Sequence, residues 1–287
     1  MLKSILASLT GFGSDKTVME TAFALARIDA GHIEALHTRI DATQVAAIAG
    51  MTKSHPYGSM HEMAHNIAQE AQVLSRSAQK AYADSRDRHL APETADRRAE
   101  GVTASFREVT TMADETLHQA RLHDLTVTAR VPELAPDRLD RLVLSAGKPI
   151  IVAPARPPKS VGETVVLAWK DAPEAAKAVT AALPLLVRAR RVIIVALCES
   201  MIEQDAGQAA AEGLLAQLKR HGISGELRVS TEAVTTVAEK ILEIAYAVDA
   251  DLIVMGAYGH SRLRELVLGG TTRDLLQDCD VAVLMVH

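Results

Sequence analysis

A chain of 287 residues is long enough for two ordinary domains or one large one. With 48% hydrophobic and 23% charged residues and a net charge of -5, it reads as a soluble globular protein without the basic stripe that nucleic-acid binding requires. Aromatics make up only 3% while Ala, Val, Leu and Ile are plentiful, which suits helices packed on buried aliphatic strands better than an antiparallel sandwich.

The first residues, MLKSILASLTGFG, hold one lysine and an apolar run too short for a secretory signal. No apolar segment approaches the ~20 residues that span a bilayer. Cys198 and Cys279 have neither the number nor the spacing of a disulfide framework, so reduced thiols in a cytoplasmic protein are expected.

In chain order, SILASL (4–9) predicts a buried strand, and TVMETAFALARI after a polar turn predicts a helix leading into the apolar strand HIEALHT (32–38). His32 and His37 flank that strand and read as sheet-end residues. An extra segment, about 41–100, follows. Within it residues 60–88 read as one helix with Met60, Ala64, Ile67, Ala71, Leu74, Ala78 and Ala81 as its apolar stripe. On the flank of this helix His61, Glu62 and His65 fit H-E-x-x-H, a pattern that can hold zinc beside a general base. A catalytic zinc needs a third protein ligand. The extended pattern fails because Ala68 and Ala71 hold the places of its Gly and His, leaving the distant Asp84, Asp87 and Glu93 as candidates. A solvated helix flank is therefore expected, with a zinc hydrolase as a remote alternative. The charge-rich stretch 83–101 reads as a helix end and a mobile surface loop.

GVTASFREVTTMADETLHQARLHDLTVTA (101–129) then gives a strand, a connection, an amphipathic helix, an Asp and a buried strand, and RLDRLVLSAGKPIIVAP closes the half with a helix and a terminal strand. Prolines and charges mark 156–163 as a linker. Beyond it the chain repeats itself. TVVLAW (164–169), EAAKAVTAALPLLV and RVIIVAL (191–197) echo the opening strand, helix and strand. Residues 222–256 again run strand, connection, helix, Asp, buried strand, and TRDLLQDCDVAVLMVH supplies the last helix and strand. Self-similarity of this kind marks a tandem duplication, with domains at 1–155 and 164–287. Strand–helix alternation with continuous apolar strands predicts that each is a small doubly wound α/β domain, its parallel sheet covered on both faces.

One stretch carries a sharper signal, DLIVMGAYGHSRLRELVLGGTTRDLL (251–276). A buried strand ends at Gly256, Gly259 follows, and after nine further residues Gly269, Gly270, Thr271 and Thr272 open a helix. Glycines let main chain turn tightly and let a ligand approach where a Cβ would intrude. A helix N-terminus offers free N–H groups and partial positive charge to an anion, and doubly wound sheets bind ligands beyond the carboxyl ends of their strands. A phosphate cradle is the expectation.

At these residues the chain resembles the universal stress protein family, whose nucleotide-binding members carry G-x2-G-x9-G-(S/T) in the same strand–loop–helix setting. Gly256, Gly259 and Gly269 match; the S/T slot is Gly270, with Thr271 and Thr272 behind it. The resemblance covers nearly the whole chain, as a tandem member with two adenine-nucleotide alpha-hydrolase-like, Rossmann-like domains. It implies that ATP, or ADP or AMP, with or without Mg, is held in the second half. The implied site takes in Ala168, Trp169, Lys170 and Asp171 after its first strand and Leu197 at the end of the next. From the loop it takes Met255, Gly256, Gly259, His260 and Arg262, and from the helix start Gly269, Gly270, Thr271 and Thr272. The family's Asp at the end of the first strand is Lys170 here, and an ammonium cannot accept a hydrogen bond from a ribose hydroxyl. Either Asp171 takes over after a small shift in the turn or binding is weaker or different; Lys170 could also approach a phosphate as a point charge.

The first half lacks the cradle. Aligning the terminal strands sets 128–142 against the glycine loop, and this stretch has no glycine, carries Pro132 and Pro136, and places Glu133 and Asp137 where an anion would need donors. Thr10 stands in the family's Asp position. The first half is expected to act as a fixed partner of the second. The final strands, 149–153 and 281–286, are apolar edges that need covering. Family members often pair such strands, and a tandem chain can do so internally as a pseudo-twofold pair; further homodimerisation stays open. The resulting expectation is a cytoplasmic stress-response protein, a nucleotide-responsive regulator with no membrane or nucleic-acid partner. No dedicated catalytic base is identified, so slow ATP hydrolysis is left open. The alternative is a nucleotide-free interaction scaffold of the same fold.

Overall fold

The computed structural model describes residues 1–42, 44–45, 57–94, 101–111, 113–135, 137–197, 201–230, 236–257, 275–276 and 279–287. In the first half, strands β1 (Ser4–Leu9), β2 (His32–Arg39), β3 (Thr103–Thr110), β4 (Leu125–Thr128) and β5 (Ile150–Val152) alternate with helices α1 (Asp15–Asp29), α2 (Tyr57–Arg88), α3 (Glu115–Ala120) and α4 (Asp137–Ser145). The second half carries β6 (Thr164–Trp169), α5 (Pro173–Leu186), β7 (Arg191–Leu197), α6 (Met201–Arg220), β8 (Gly225–Ser230), α7 (Val237–Ala247), β9 (Leu252–Gly256) and β10 (Ala282–Val286).

These strands form a single ten-stranded sheet in the order β3-β2-β1-β4-β5-β10-β9-β6-β7-β8. Read outward from the middle, each half lays down its strands in the same order, so the duplication seen in the sequence is a duplication of topology. Neighbours within each half are parallel, and β5 meets β10 antiparallel. That is the pseudo-twofold arrangement the apolar terminal strands call for.

Continuous apolar runs explain the layering. Val165, Val166 and Leu167 of β6 are all buried at successive positions, which requires cover on both faces of the sheet. One face packs under α1 and α5 around Phe23, Met19, Ala178 and Ala182; the other packs under α4 and α7 around Leu142, Ile241 and Ile244. Helix ends carry their own signals. Ala30 closes α1 in the left-handed region at φ 50, and α7 opens on a capping box between Thr236 and Glu239.

The Asp that precedes a buried strand in both repeats has a mechanical role. Asp124 accepts hydrogen bonds from the Lys3 and Ser4 amides at 2.9 and 3.0 Å. Asp251 does the same for Gly162 and Thr164, both at 3.0 Å. Each carboxylate fixes the amino end of the neighbouring central strand, β1 or β6.

At the seam Val152, Ile151 and Ile150 face Val283, Leu284 and Met285. All six are buried, and full burial of such a side chain is worth ~1.5–3 kcal/mol, so two separate halves would expose a costly apolar edge. Arg188 adds an ion pair across the halves, 3.0 Å from Asp29. The stretch read as a mobile loop begins differently from that expectation: Glu93 bridges to Ala104, so residues 92–94 add to the outer edge of β3.

Candidate functional site

In the second half β6 is followed in sequence by β7 on one side of the sheet, while β9 flanks β6 on the other. The order of the strands therefore reverses at β6 and β9, and their carboxyl ends form the switch point, the place where doubly wound sheets take ligands. Register sets Ala168 against Met255, and Trp169 against Ala196 of β7. Successive residues point to opposite faces: Trp169 packs toward the cluster under α5, and Ala168 toward the one under α7.

Gly256 closes β9 at this switch point. A Cβ built there would lie 2.5 Å from the Ala175 amide nitrogen and 2.6 Å from the Glu174 carbonyl carbon, so the strand end and the first turn of α5 touch main chain to main chain. Past it, the Ala257 amide donates to Val286 O at 2.9 Å and His287 Nδ1 lies 3.1 Å from Ala257 O, which ties the strand end to the chain terminus.

Of the residues implied for the site, Ala168 and Trp169 are half-buried, Met255 is buried, and Lys170 and Asp171 are exposed in the turn between β6 and α5. Leu197 ends β7. Gly259, His260, Arg262, Gly269, Gly270, Thr271 and Thr272 lie outside the described residues. Sequence reasoning passed over one residue at this end of the sheet, Glu174. Its Oε2 is shut from solvent and has no hydrogen-bond partner among the described residues, and the same holds for Trp169 Nε1. The available signal was the carboxylate in the first helical turn, directly after the Pro173 that starts α5.

The matching end of the first half is arranged differently. Asp15, buried at the start of α1, accepts hydrogen bonds from the Thr10 amide (2.8 Å), the Gly11 amide (2.7 Å) and the Thr10 hydroxyl (3.1 Å). Burial raises its carboxyl pKa, and these hydrogen bonds work against that rise. Arg138, near the start of α4, donates to Ser8 Oγ at 3.0 Å; burial lowers its guanidinium pKa, against the pull of Asp114 and Asp15. Helix α2 closes over the same turn, with Leu74 packed against Gly11. Thr10, Gly11 and Arg138 are thus engaged by the chain's own groups, while Ser14 Oγ, buried at the start of α1, has no partner among the described residues. Glu133 and Asp137 are exposed, and Pro136 lies outside the described residues.

Helix α2 bears the H-E-x-x-H pattern. Glu62 and His65 are exposed, and His65 Nε2 lies 2.8 Å from Gln69 Nε2; the side chain of His61 lies outside the described residues. Asp84 is paired with Lys80, and Asp87 and Glu93 are paired with Arg86. Among the described residues no group of His, Cys, Asp and Glu is placed to hold a metal ion. His32 opens β2 between Thr103 and Ser105, and His37 lies inside the strand, buried, 3.2 Å from Leu9 O. Burial pushes the Cys279 thiol up to about 11, far from the range of a reactive thiolate; Cys198 lies outside the described residues. Among the described residues no helix is long and apolar enough to cross a membrane.

Comparison with known proteins agrees with this geometry. The profile of the universal stress protein family matches residues 162–287, the whole second half. A curated universal stress protein of Synechocystis sp. is 32% identical over a stretch covering 31% of this chain and 38% of the relative, so the chain spans under two fifths of the relative's length. Among solved structures, a universal stress protein from Archaeoglobus fulgidus DSM 4304 superposes with a TM-score of 0.64 at 13% identity, covering 99% of this chain and 97% of the other. A functionally unknown protein from Pseudomonas aeruginosa PAO1 superposes with a TM-score of 0.58 at 14% identity, covering 99% and 92%. At such identities the structures speak for the fold, over the full length and both halves. The likeness to the universal stress protein family thus rests on the profile match over residues 162–287 and, for the whole chain, on the fold.

Proposed function

We propose that the chain is a cytoplasmic stress-response protein that binds ATP or a related adenine nucleotide in its second half and acts as a nucleotide-responsive regulator. The observation that carries the reading is Gly256. It ends a buried strand at the switch point, with its main chain packed against the first turn of α5 and no room for a side chain. In sequence it opens the G-x2-G-x9-G run, Gly256, Gly259 and Gly269, followed by Gly270, Thr271 and Thr272. Main-chain amides of such a loop, with a helix N-terminus behind them, would hold the phosphates. His260, Arg262 and Lys170 would add positive charge, and Mg could accompany the phosphates. Ala168, Trp169, Asp171, Leu197 and Met255 would border the nucleoside. The first half, which has no glycine in the stretch 128–142 that aligns with the loop, serves as the fixed partner.

Titration of the full chain with ATP, ADP and AMP, with and without Mg, tests this. Saturable binding at one site per chain is expected, and loss of that site in Gly259→Asp, which sets a carboxylate against the phosphates. A wild-type chain that binds no adenylate at millimolar concentration would overturn the reading in favour of a nucleotide-free scaffold.

A further inference from the structure

We infer that the outer edge of β8 is a docking surface for a second copy of this chain. The two β8 strands pair antiparallel about a twofold axis at Leu227, so that Glu226 of each copy faces Arg228 of the other. The inference stands on the fold alone and is independent of the nucleotide reading above.

The two outer edges of the sheet are finished differently. Beside β3, residues 92–94 cover the edge, with the Thr94 amide donating to Ala104 O at 3.2 Å and the Ala104 amide to Pro92 O at 3.1 Å. On the other side β8 ends the sheet, with no strand beyond it among the described residues. A bare edge presents a row of main-chain donors and acceptors, and proteins that stay single guard it with proline, a covering segment or charges that repel a neighbour. β8 reads GELRVS, without proline, and its two charges have opposite sign.

Register decides which main-chain groups of β8 face outward. The Arg191 amide donates to Glu163 O at 3.1 Å, so Arg191, Ile193 and Val195 turn their main chain toward β6, and Val192, Ile194 and Ala196 turn theirs toward β8. These last residues stand opposite Gly225, Leu227 and Val229. In a parallel ladder a residue bonds the two neighbours of the one opposite it, so Glu226 and Arg228 are tied to β7. The main chain of Gly225, Leu227 and Val229 points outward.

Two antiparallel edges meet with outward residues opposite outward residues. A twofold axis at Glu226 would set that carboxylate against its own copy, and an axis at Arg228 would do the same with the guanidinium. Like charges directly opposite are destabilising. An axis at Leu227 sets Gly225 against Val229 in hydrogen-bonded pairs and Glu226 against Arg228 in the closer, non-hydrogen-bonded pairs, where opposite charges attract. The Glu226 carboxylate is held ready for this by Arg191, at 2.9 Å to each oxygen, and stays 51% exposed; Arg228, 3.6 Å from it, is 38% exposed. Because the β3 edge is already covered, the contact is isologous and closes at two copies. Along a strand of 6 residues it is a small interface of the weak class, so the dimer dissociates on dilution, and scattering extrapolated to zero concentration sees the single chain.

Sedimentation velocity of the full chain tests this. The wild-type mass is expected to rise across the micromolar range from the 30.7 kDa of one chain toward twice that value. Glu226→Arg and Arg228→Glu each set like charges opposite each other at both contacts and should weaken association at least ~10-fold. An equimolar mixture of these two variants again places opposite charges at both contacts, and it should associate at least as tightly as wild type. Val229→Pro removes an outward amide while leaving both charges and the β7 ladder in place, and it should weaken the dimer too. Melting curves recorded alongside show whether each variant is folded; should a charge variant unfold, Val229→Pro decides. A wild type that stays single at every concentration overturns the inference. So does a dimer indifferent to these substitutions, or a mixture of the folded charge variants that remains monomeric.

Discussion

The contact between Gly256 and the first turn of α5 makes a quantitative demand on the sequence. In Gly256→Ala the new Cβ would stand 2.5 Å from Ala175 N, 2.6 Å from Glu174 C and 2.9 Å from Glu174 Cβ. Ordinary carbon contacts lie at ~3.5–4.0 Å, so the strand end or the helix start has to retreat by roughly 1 Å. Two of the three opposing atoms belong to main chain, and no rotamer change relieves the clash. Overpacking of this kind costs ~1–3 kcal/mol. The same substitution at Gly213, exposed in α6 with nothing within 4 Å of its added Cβ, should instead stabilise by ~0.5–1 kcal/mol through helix propensity. At ~2–4 °C per kcal/mol for a domain-sized unit, Gly256→Ala is expected to melt ~2–12 °C below wild type and Gly213→Ala slightly above it. Circular dichroism melts, with urea unfolding to check that the denaturant slope is unchanged, measure both. A Gly256→Ala protein at or above the wild-type midpoint would refute the claim that the end of β9 meets the first turn of α5 main chain to main chain.

Two further outcomes follow from the first half and the seam. His123 Nδ1 lies 2.8 Å from Gln119 O and its Nε2 3.7 Å from Glu34. Burial opposes its charge, but the Glu34 carboxylate and the Gln119 carbonyl outweigh burial and raise its pKa above the usual 6.5. Its stabilising contribution is therefore full below pH 6.5 and lost as pH rises through the folded value. Glu34, held below 4.5 by His123 and then by Arg107 against its burial, contributes above pH 4.5 and loses that as pH falls through its lowered value. An NMR titration should put the His123 midpoint above 6.5, and Glu34→Gln should bring it down; an unchanged midpoint refutes the pairing. At the seam, the fully buried Leu284 faces Ile151, and Leu284→Asp should cost more than ~3 kcal/mol by burying an unpaired charge. Small-angle scattering of wild type is expected to give a radius of gyration near ~19 Å, the value for one compact body of this length. A clearly larger radius, as from two separated lobes, would contradict the continuous sheet.

Much of the architecture was legible because burial on both faces leaves a strong mark. Strands such as TVVLAW and RVIIVAL can be apolar throughout only if helices cover both sides, and the recurrence of Asp124 and Asp251 before buried strands announced the repeat. The apolar final strands announced their own pairing. At the candidate site the end of β9 was legible: Gly256 closes the strand beside β6, where the glycine spacing put it. Glu174 was not, because one carboxylate in a first helical turn is ordinary in sequence and becomes informative only when its oxygen is found buried without a donor.

The periodic part is legible from the residues alone: alternating strands and helices, the doubling of the unit, and a glycine at the end of a buried strand. These depend on local preference and on which residues avoid water, and both are written residue by residue. It takes the folded molecule to show that one sheet joins the halves through β5 and β10, that Asp15 caps the turn after β1 while Arg138 reaches Ser8, and that Glu174 lies against Gly256. These are meetings between groups far apart in the chain or turned toward each other by helix geometry, and no local pattern encodes who meets whom once the layers close.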